Sequence, residues 1–199
     1  DSMNRVLAAR GFPPHGMDRY RYFVGDGART LVQRTLPEDR RDARTVEECL
    51  SQYRAEYAAH WKDKTRVYDG IPELLDGLTA RGVRLAVLSN KPHDATAQCV
   101  EAFLPRWRFD AVHGQQDGIP HKPNPAGAQS VARTLGLAPV EFLYLGDTAT
   151  DMQTAVAAGM FPVGALWGFR PAQELADHGA RALLARPEDA LRFWPRAAG

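Results

Sequence analysis

Two aspartates at the end of an apolar run are the first residues whose types and spacing suggest chemistry. Asp147 follows residues 142–146, which are four apolar side chains and a glycine, and Asp151 comes four residues later. Such a run predicts a strand that is buried on both faces of a parallel sheet. Two carboxylates in one tight loop repel each other, and a Mg²⁺ ion held by one or two carboxylates and water relieves that repulsion. The alternative is a helix capped by Thr150 or Asp151 beside a solvated aspartate.

Two other polar clusters follow predicted strands. Ser89 and Asn90 come after a strand predicted over residues 84–88, where they can donate hydrogen bonds to an anion or, alternatively, cap the next helix. Lys122 lies in a proline-rich loop whose stiff backbone can aim its ammonium group, although a lone loop lysine is normally solvated. The carboxyl ends of parallel strands meet at one sheet edge. We therefore expect a hydroxyl donor, a cation and two metal-binding carboxylates there, which is the set that phosphoryl transfer needs.

The pattern of predicted elements supports this placement. Residues 1–66 carry helical signals without strand signals, and their clearest apolar face runs from Val46 to Trp61. From residue 67 onwards, strands and helices alternate, which is typical of βαβ units in a parallel sheet. Strands are predicted over residues 84–88, 109–112, 142–145, 160–166 and 182–184, and helices over 73–81, 93–104, 125–135, 172–177 and 187–193, with one more from Thr150 or Asp151 to Gly159.

Composition narrows the class of protein. Hydrophobic residues make up 44% of the 199, and the net charge is +1, so nothing favours a nucleic-acid or membrane partner. Cys49 and Cys99 lie in separate helical patterns without metal spacing, which predicts buried thiols in a reducing, cytoplasmic compartment.

The three clusters, in this order and spacing, resemble motifs two, three and four of the haloacid dehalogenase superfamily. The similarity is closest to its phosphoglycolate phosphatase-like branch and covers essentially the whole chain. The segments that carry it are residues 88–91, 114–118, 122–125, 146–151 and 167–169. Each motif alone is a weak signal, whereas the ordered set is specific.

This resemblance implies an α/β fold, with a Rossmann-like parallel sheet core over residues 67–199 and a small all-helical cap domain over residues 1–66. It implies that Ser89 and Lys122 are catalytic and bind the phosphate, and that Asn90 helps to position it.

The same resemblance implies a metal site and a contribution from the cap. Asp147 and Asp151 would hold the Mg²⁺ cofactor, with Asp151 acting through a water or through Lys122. The loop at residues 25–29 resembles the cap loop that faces the active site. There, the guanidinium group of Arg29 could form a bidentate pair with a substrate carboxylate. Alternatively, Arg29 could be a solvated helix residue.

The implied function is a Mg²⁺-dependent phosphatase that acts on a small phosphorylated substrate, most consistently 2-phosphoglycolate. The expected oligomeric state is a monomer or a homodimer. A phosphosugar mutase or a broad sugar or nucleotide phosphatase of the same fold is the runner-up. A dehalogenase is less consistent with Asp147 and Asp151. From another class, an inactive module that binds a phosphate or a partner remains an alternative.

One motif of the family is absent from the sequence. The resemblance calls for Asp-x-Asp-Gly-Thr after a first strand, with the nucleophile as its first aspartate and the general acid/base as its second, and no such segment occurs. A central strand contributes ladder hydrogen bonds and buried side chains comparable to the roughly 5–15 kcal/mol stability of a whole domain. We therefore expect further N-terminal residues that carry this strand and the nucleophile.

Overall fold

The computed structural model describes residues 1–194, and these fall into two compact units. The helical unit comprises residues 1–66, and the α/β unit begins at residue 67. Within residues 1–194, every helix falls short of the length and apolarity that a bilayer crossing requires.

The helical unit packs its helices around one apolar cluster. Its helices are α1 (Ser2–Ala9), α2 (Tyr20–Phe23), α3 (Ala28–Thr35) and α4 (Ala43–His60), with 3₁₀ turns at Met17–Arg19 and Glu38–Arg40. Helix α4 begins after Asp42, whose carboxylate accepts a hydrogen bond from the Thr45 amide, an N-cap arrangement. Leu7, Val32 and Cys49 are fully buried in the cluster that α1, α3 and α4 share.

The α/β unit alternates strands and helices, as the sequence predicted. Its strands are β1 (Ala86–Pro92), β2 (Ala111–Gln115), β3 (Leu143–Gly146), β4 (Phe161–Ala165) and β5 (Ala182–Leu184). Its helices are α5 (Ile71–Thr79), α6 (His93–Phe103), α7 (Ala126–Leu135), α8 (Ala149–Ala158) and α9 (Ala172–Asp177), with 3₁₀ segments at Pro139–Glu141 and Pro187–Phe193. All strand pairs are parallel, which confirms the predicted α/β class.

The described strands form two sheets, whereas the sequence predicted one sheet whose first strand lies ahead of residue 1. Strand β1 pairs with β2, with Ala86 opposite Ala111, and β3, β4 and β5 form the second sheet, with Leu143 opposite Phe161. Among residues 1–194, no strand lies between β1 and β3 to continue the ladder. The three polar clusters therefore lie at the carboxyl ends of two sheets rather than along the edge of one.

The prediction that β3 is buried on both faces is wrong. Residues 143–146 are only partly buried, whereas the neighbouring strand β4 is buried over most of its length. The reason is a cavity of about 450 Å³ between β1 and β3, which we call the inter-sheet groove. Ala86 and Leu88 line it from the β1 side, and Leu143 and Leu145 line it from the β3 side.

Candidate active site

Ser89 and Asn90 lie within β1 rather than after it. The strand continues to Pro92, which pairs with Gln115, and its register is irregular between Leu88 and Pro92. The amide of Lys91 donates a hydrogen bond of 3.1 Å to Ser89 Oγ. This bond fixes the oxygen and leaves the hydroxyl proton of Ser89 to be donated to a ligand.

Asn90 holds the backbone of Lys122. Its Oδ1 accepts a hydrogen bond from the Lys122 amide at 2.8 Å, and its Nδ2 donates one to the Lys122 carbonyl at 3.2 Å. Asn90 is buried, so this pair of bonds is shielded from water. The structure thus gives Asn90 a positioning role, and its predicted contact with the phosphate stays a prediction.

The side chain of Lys122 forms a buried ion pair with Asp151. The Nζ–Oδ1 distance is 2.7 Å, and only 15% and 9% of the two side chains are exposed. Removing two charges from water is costly, and such a pair is stable only when further hydrogen bonds satisfy both partners. The carbonyl of Leu88 lies 3.5 Å from Nζ, and the Tyr144 hydroxyl lies 3.4 Å from Asp151 Oδ1.

The turn between β3 and α8 supplies the other bonds to Asp151. Thr148 donates to Asp151 Oδ2 from its hydroxyl at 2.6 Å and from its amide at 3.2 Å, and the Asp147 amide adds a bond of 3.3 Å. Thr148 is also the N-cap of α8, because its Oγ1 accepts the Asp151 amide. The prediction of a cap at Thr150 or Asp151 is therefore wrong. The spacing of a capping box, a threonine three residues before an acidic side chain, could have identified Thr148 from the sequence.

Asp147 lies beside the loop that follows β4. Its Oδ2 accepts a hydrogen bond from the Phe169 amide at 3.0 Å. Gly168 is required there, because a Cβ atom on it would collide with the Asp147 side chain. Burial, and secondarily the charge of Asp151, raise the pKa of Asp147 above its ordinary value. A cation at this carboxylate would offset both effects.

The donor set fits a magnesium ion. Both oxygens of Asp151 already bind Lys122 or Thr148, so Asp147 is the carboxylate better placed for direct contact with a metal. Within the part of the chain that the structure describes, no three His, Cys, Asp or Glu side chains converge. One or two carboxylates completed by water are what Mg²⁺ accepts, in contrast to an all-protein cage.

Five of the six predicted site residues lie together. Ser89, Asn90 and Lys122 line one small cavity, and Asp151 and the neighbouring Asp147 adjoin Lys122. The sixth residue, Arg29, belongs to the helical unit. There it forms an ion pair with Glu47, in which both side chains are more than half exposed. Its predicted contact with a substrate stays a prediction.

The chain is similar to a known family of hydrolases. A family model described as haloacid dehalogenase-like hydrolase matches residues 1–165. A phosphoglycolate phosphatase of Cereibacter sphaeroides is 32% identical over 195 residues, which cover 96% of this chain and 88% of the relative. One of Pseudomonas putida is 32% identical over 173 residues, which cover 84% of this chain and only 63% of that relative's length.

Solved structures share the fold. A crystal structure from Lactobacillus delbrueckii subsp. bulgaricus, of a protein provisionally named a phosphoglycolate phosphatase, superposes with a TM-score of 0.90. It is 28% identical, and the match covers 98% of this chain and 90% of that one. A haloacid dehalogenase-like hydrolase from Streptococcus pneumoniae gives a TM-score of 0.86 at 21% identity over 98% of this chain and 89% of that one, a likeness of fold alone.

Proposed function

Because this chain belongs to the haloacid dehalogenase-like hydrolases, and within them to the phosphoglycolate phosphatase-like branch, as its motifs predicted, we propose that it acts as a Mg²⁺-dependent phosphatase. Its substrate class is a small phosphorylated metabolite, with 2-phosphoglycolate as the first choice. The names of the relatives from Pseudomonas putida and Cereibacter sphaeroides support that choice.

The observation that carries the proposal is the buried Lys122–Asp151 ion pair. Asn90 fixes the backbone of Lys122 and Asp151 fixes its ammonium group, so the positive charge is oriented before a substrate arrives. A preorganised charge stabilises the transition state of phosphoryl transfer without reorganising during the reaction. Ser89 would donate its hydroxyl proton to a second phosphate oxygen.

Asp147 would hold the metal directly, and Asp151 would support it through a water molecule or through Lys122. Mg²⁺ supplies charge neutralisation at the phosphate oxygens. Burial, and secondarily the charge of Asp151, raise the pKa of Asp147, and a bound cation would favour its charged form.

Phosphoryl transfer also requires a nucleophile. The resemblance assigns this role to the first aspartate of Asp-x-Asp-Gly-Thr, which the 199 residues do not contain. We propose that this aspartate attacks phosphorus, that the second aspartate protonates the leaving alcohol, and that water then hydrolyses the aspartyl-phosphate. During these steps Ser89 and Lys122 would bind and orient the phosphate, and Asp147 and Asp151 would hold the metal.

The test measures phosphate release by two proteins, one with only these 199 residues and one with the predicted motif ahead of residue 1. The substrates are 2-phosphoglycolate, glucose 1-phosphate, glucose 6-phosphate and a nucleoside monophosphate, each with Mg²⁺ or with EDTA. We expect turnover only with the motif and with Mg²⁺, and fastest with 2-phosphoglycolate.

Other outcomes are equally informative. Preference for a hexose phosphate would replace the proposed substrate, and conversion of glucose 1-phosphate to glucose 6-phosphate without phosphate release would favour the mutase. Binding of phosphate without release of product by either protein would favour the inactive binding module. Full activity in EDTA would contradict the metal assignment.

A further inference from the structure

Tyr144 brings a hydroxyl group from β3 to the buried ion pair. Its ring packs against the apolar cluster that contains Ala155 and Met160. The hydroxyl lies 3.4 Å from Asp151 Oδ1, so packing holds the ring while its polar end meets the carboxylate. A tyrosine hydroxyl is protonated at neutral pH and can therefore donate a hydrogen bond to a carboxylate.

Gly146 allows Asp151 to approach this hydroxyl. Side chains two positions apart on a strand lie on the same face, so Tyr144 and position 146 face the same side of β3. A Cβ atom on Gly146 would collide with the Asp151 side chain. Asp151 therefore occupies the space over β3 that a side chain at position 146 would fill, next to Tyr144.

The two carboxylate oxygens of Asp151 are held from different elements. Oδ2 accepts hydrogen bonds from the Thr148 hydroxyl and from the amides of Thr148 and Asp147, all in the turn that leads into α8. Oδ1 binds the Lys122 ammonium at 2.7 Å and faces the Tyr144 hydroxyl at 3.4 Å. A donor from β3 at Oδ1 therefore restrains rotation of the carboxylate at the oxygen that the turn does not bind.

The distance from the Tyr144 hydroxyl to Asp151 is longer than in most hydrogen bonds between oxygens. Hydrogen bonds in a catalytic site are often long in the free protein and shorten when a ligand binds. When a phosphate shares the Lys122 ammonium with Asp151, Oδ1 loses part of its counter-charge. The Tyr144 hydroxyl is placed to compensate that loss with a shorter bond.

We propose that Tyr144 is a positioning residue of the candidate active site, whose hydroxyl donates to Asp151 Oδ1 and so fixes the carboxylate that orients the Lys122 ammonium. Tyr144 acts through Asp151 and not on the substrate itself. The inference rests on the proposed phosphatase function for its effect on rate, whereas its effect on Lys122 can be observed without turnover.

The kinetic test compares Tyr144→Phe with Tyr20→Phe in the protein that carries the predicted motif. Each substitution removes one hydroxyl, and the Tyr20 hydroxyl donates to Asn4 Oδ1 at 2.6 Å within the helical unit. We expect Tyr144→Phe to lower kcat for 2-phosphoglycolate about tenfold with little change in KM, because a site carboxylate loses a hydrogen-bonding partner. Tyr20→Phe should lower the Tm at least as much and leave kcat unchanged.

A second measurement follows the Lys122 ammonium directly, by side-chain NMR of the same protein with isotope-labelled lysine. The signal that disappears in Lys122→Arg identifies this group. In Tyr144→Phe, we expect its hydrogen exchange to be about two- to tenfold faster, because the partner carboxylate is less restrained. Tyr20→Phe should leave the exchange rate unchanged, which separates a local effect from a general loss of stability.

Three results would overturn the proposal. They are an unchanged kcat in Tyr144→Phe when the unsubstituted protein is active, an equal loss of kcat in Tyr20→Phe, and an unchanged exchange rate of the Lys122 ammonium in Tyr144→Phe. Faster exchange in Tyr144→Phe, together with no turnover by the unsubstituted protein, would contradict the proposed function and support the contact between Tyr144 and Asp151.

Discussion

Two ion pairs, one in each unit, show how burial changes what an ion pair does. Lys122 and Asp151 are almost fully buried, and Thr148, Asp147 and Asn90 hold the pair or its backbone in place. Arg29 and Glu47 are more than half exposed on the helical unit. An exposed pair contributes little because water and salt screen it, whereas breaking a buried pair leaves a charge without compensation. We therefore expect the Lys122–Asp151 pair to matter for both stability and activity, and the Arg29–Glu47 pair to contribute little to stability.

The largest effect is expected from Lys122→Met. It removes the buried cation and leaves Asp151 uncompensated next to Asp147, which should lower the free energy of unfolding by about 3–5 kcal/mol. In the protein that carries the motif, it should also lower kcat by about a hundredfold or more. Urea unfolding and the phosphate-release assay measure the two effects. Arg29→Met is the matched control, and equal losses of stability in the two variants would contradict the comparison.

Asp147→Asn should separate metal binding from stability. The substitution keeps an oxygen for the Phe169 amide but removes the negative charge, so calorimetric Mg²⁺ binding and Mg²⁺-dependent turnover should both be lost. Asp177→Asn, at an exposed aspartate of α9, is the control that should retain both. Mg²⁺ binding of wild-type strength in Asp147→Asn would remove Asp147 from the metal site.

The pH dependence of Asp147→Asn follows from the raised pKa of Asp147. A carboxyl group whose pKa is higher in the folded than in the unfolded protein favours folding only while it is protonated, and that contribution is lost as the pH rises through the folded pKa. Metal-free Asp147→Asn should therefore be at least as stable as the wild type at neutral pH. The difference between the two should shrink as the pH falls below the ordinary aspartate pKa, as thermal unfolding at a series of pH values would show.

A smaller effect is expected at Thr148. Thr148→Ala removes the N-cap of α8 and a hydrogen bond to Asp151, which should cost about 0.5–2 kcal/mol in the free energy of unfolding. Thr148→Ser keeps a hydroxyl and should recover most of that loss. If serine and alanine destabilise equally in urea unfolding, the hydroxyl does not support Asp151.

The smallest effect on stability is expected from Arg29→Gln, within about 0.5 kcal/mol, because the pair with Glu47 is exposed. If Arg29 binds a substrate carboxylate, the substitution should raise the KM for 2-phosphoglycolate and not that for a phosphate ester without a carboxylate. Steady-state kinetics with the two substrates test this, and an equal change in both KM values would remove Arg29 from the substrate site.

The sequence predicted those features that depend on local signals. The bounds of α9 and β5 agree with the structure, and the clusters at Ser89, Lys122 and Asp147 were identified as candidate site residues. Turn residues and short apolar runs are sufficient for such predictions, because they act over a few neighbouring positions.

Pairing between distant segments could not be predicted in the same way. The irregular register that keeps Ser89 inside β1 depends on β2, and the use of Asn90 to hold Lys122 joins positions 32 residues apart. The partial burial of β3 likewise depends on its neighbours. An apolar run such as residues 142–145 reads the same in the sequence whether the strand is fully or only partly covered.

Lys122 has a mechanical consequence for the α/β unit. Its backbone is bound to β1 through Asn90, and its side chain is bound to Asp151 after β3, so one residue ties the two sheets at their carboxyl ends. At their amino ends the two sheets meet through apolar packing, in which Leu85 shares a cluster with Leu143 and Val163, whereas the connection at Lys122 consists of directional bonds. We therefore expect the backbone around Lys122 and Asp151, where the candidate site lies, to be among the most rigid parts of the α/β unit.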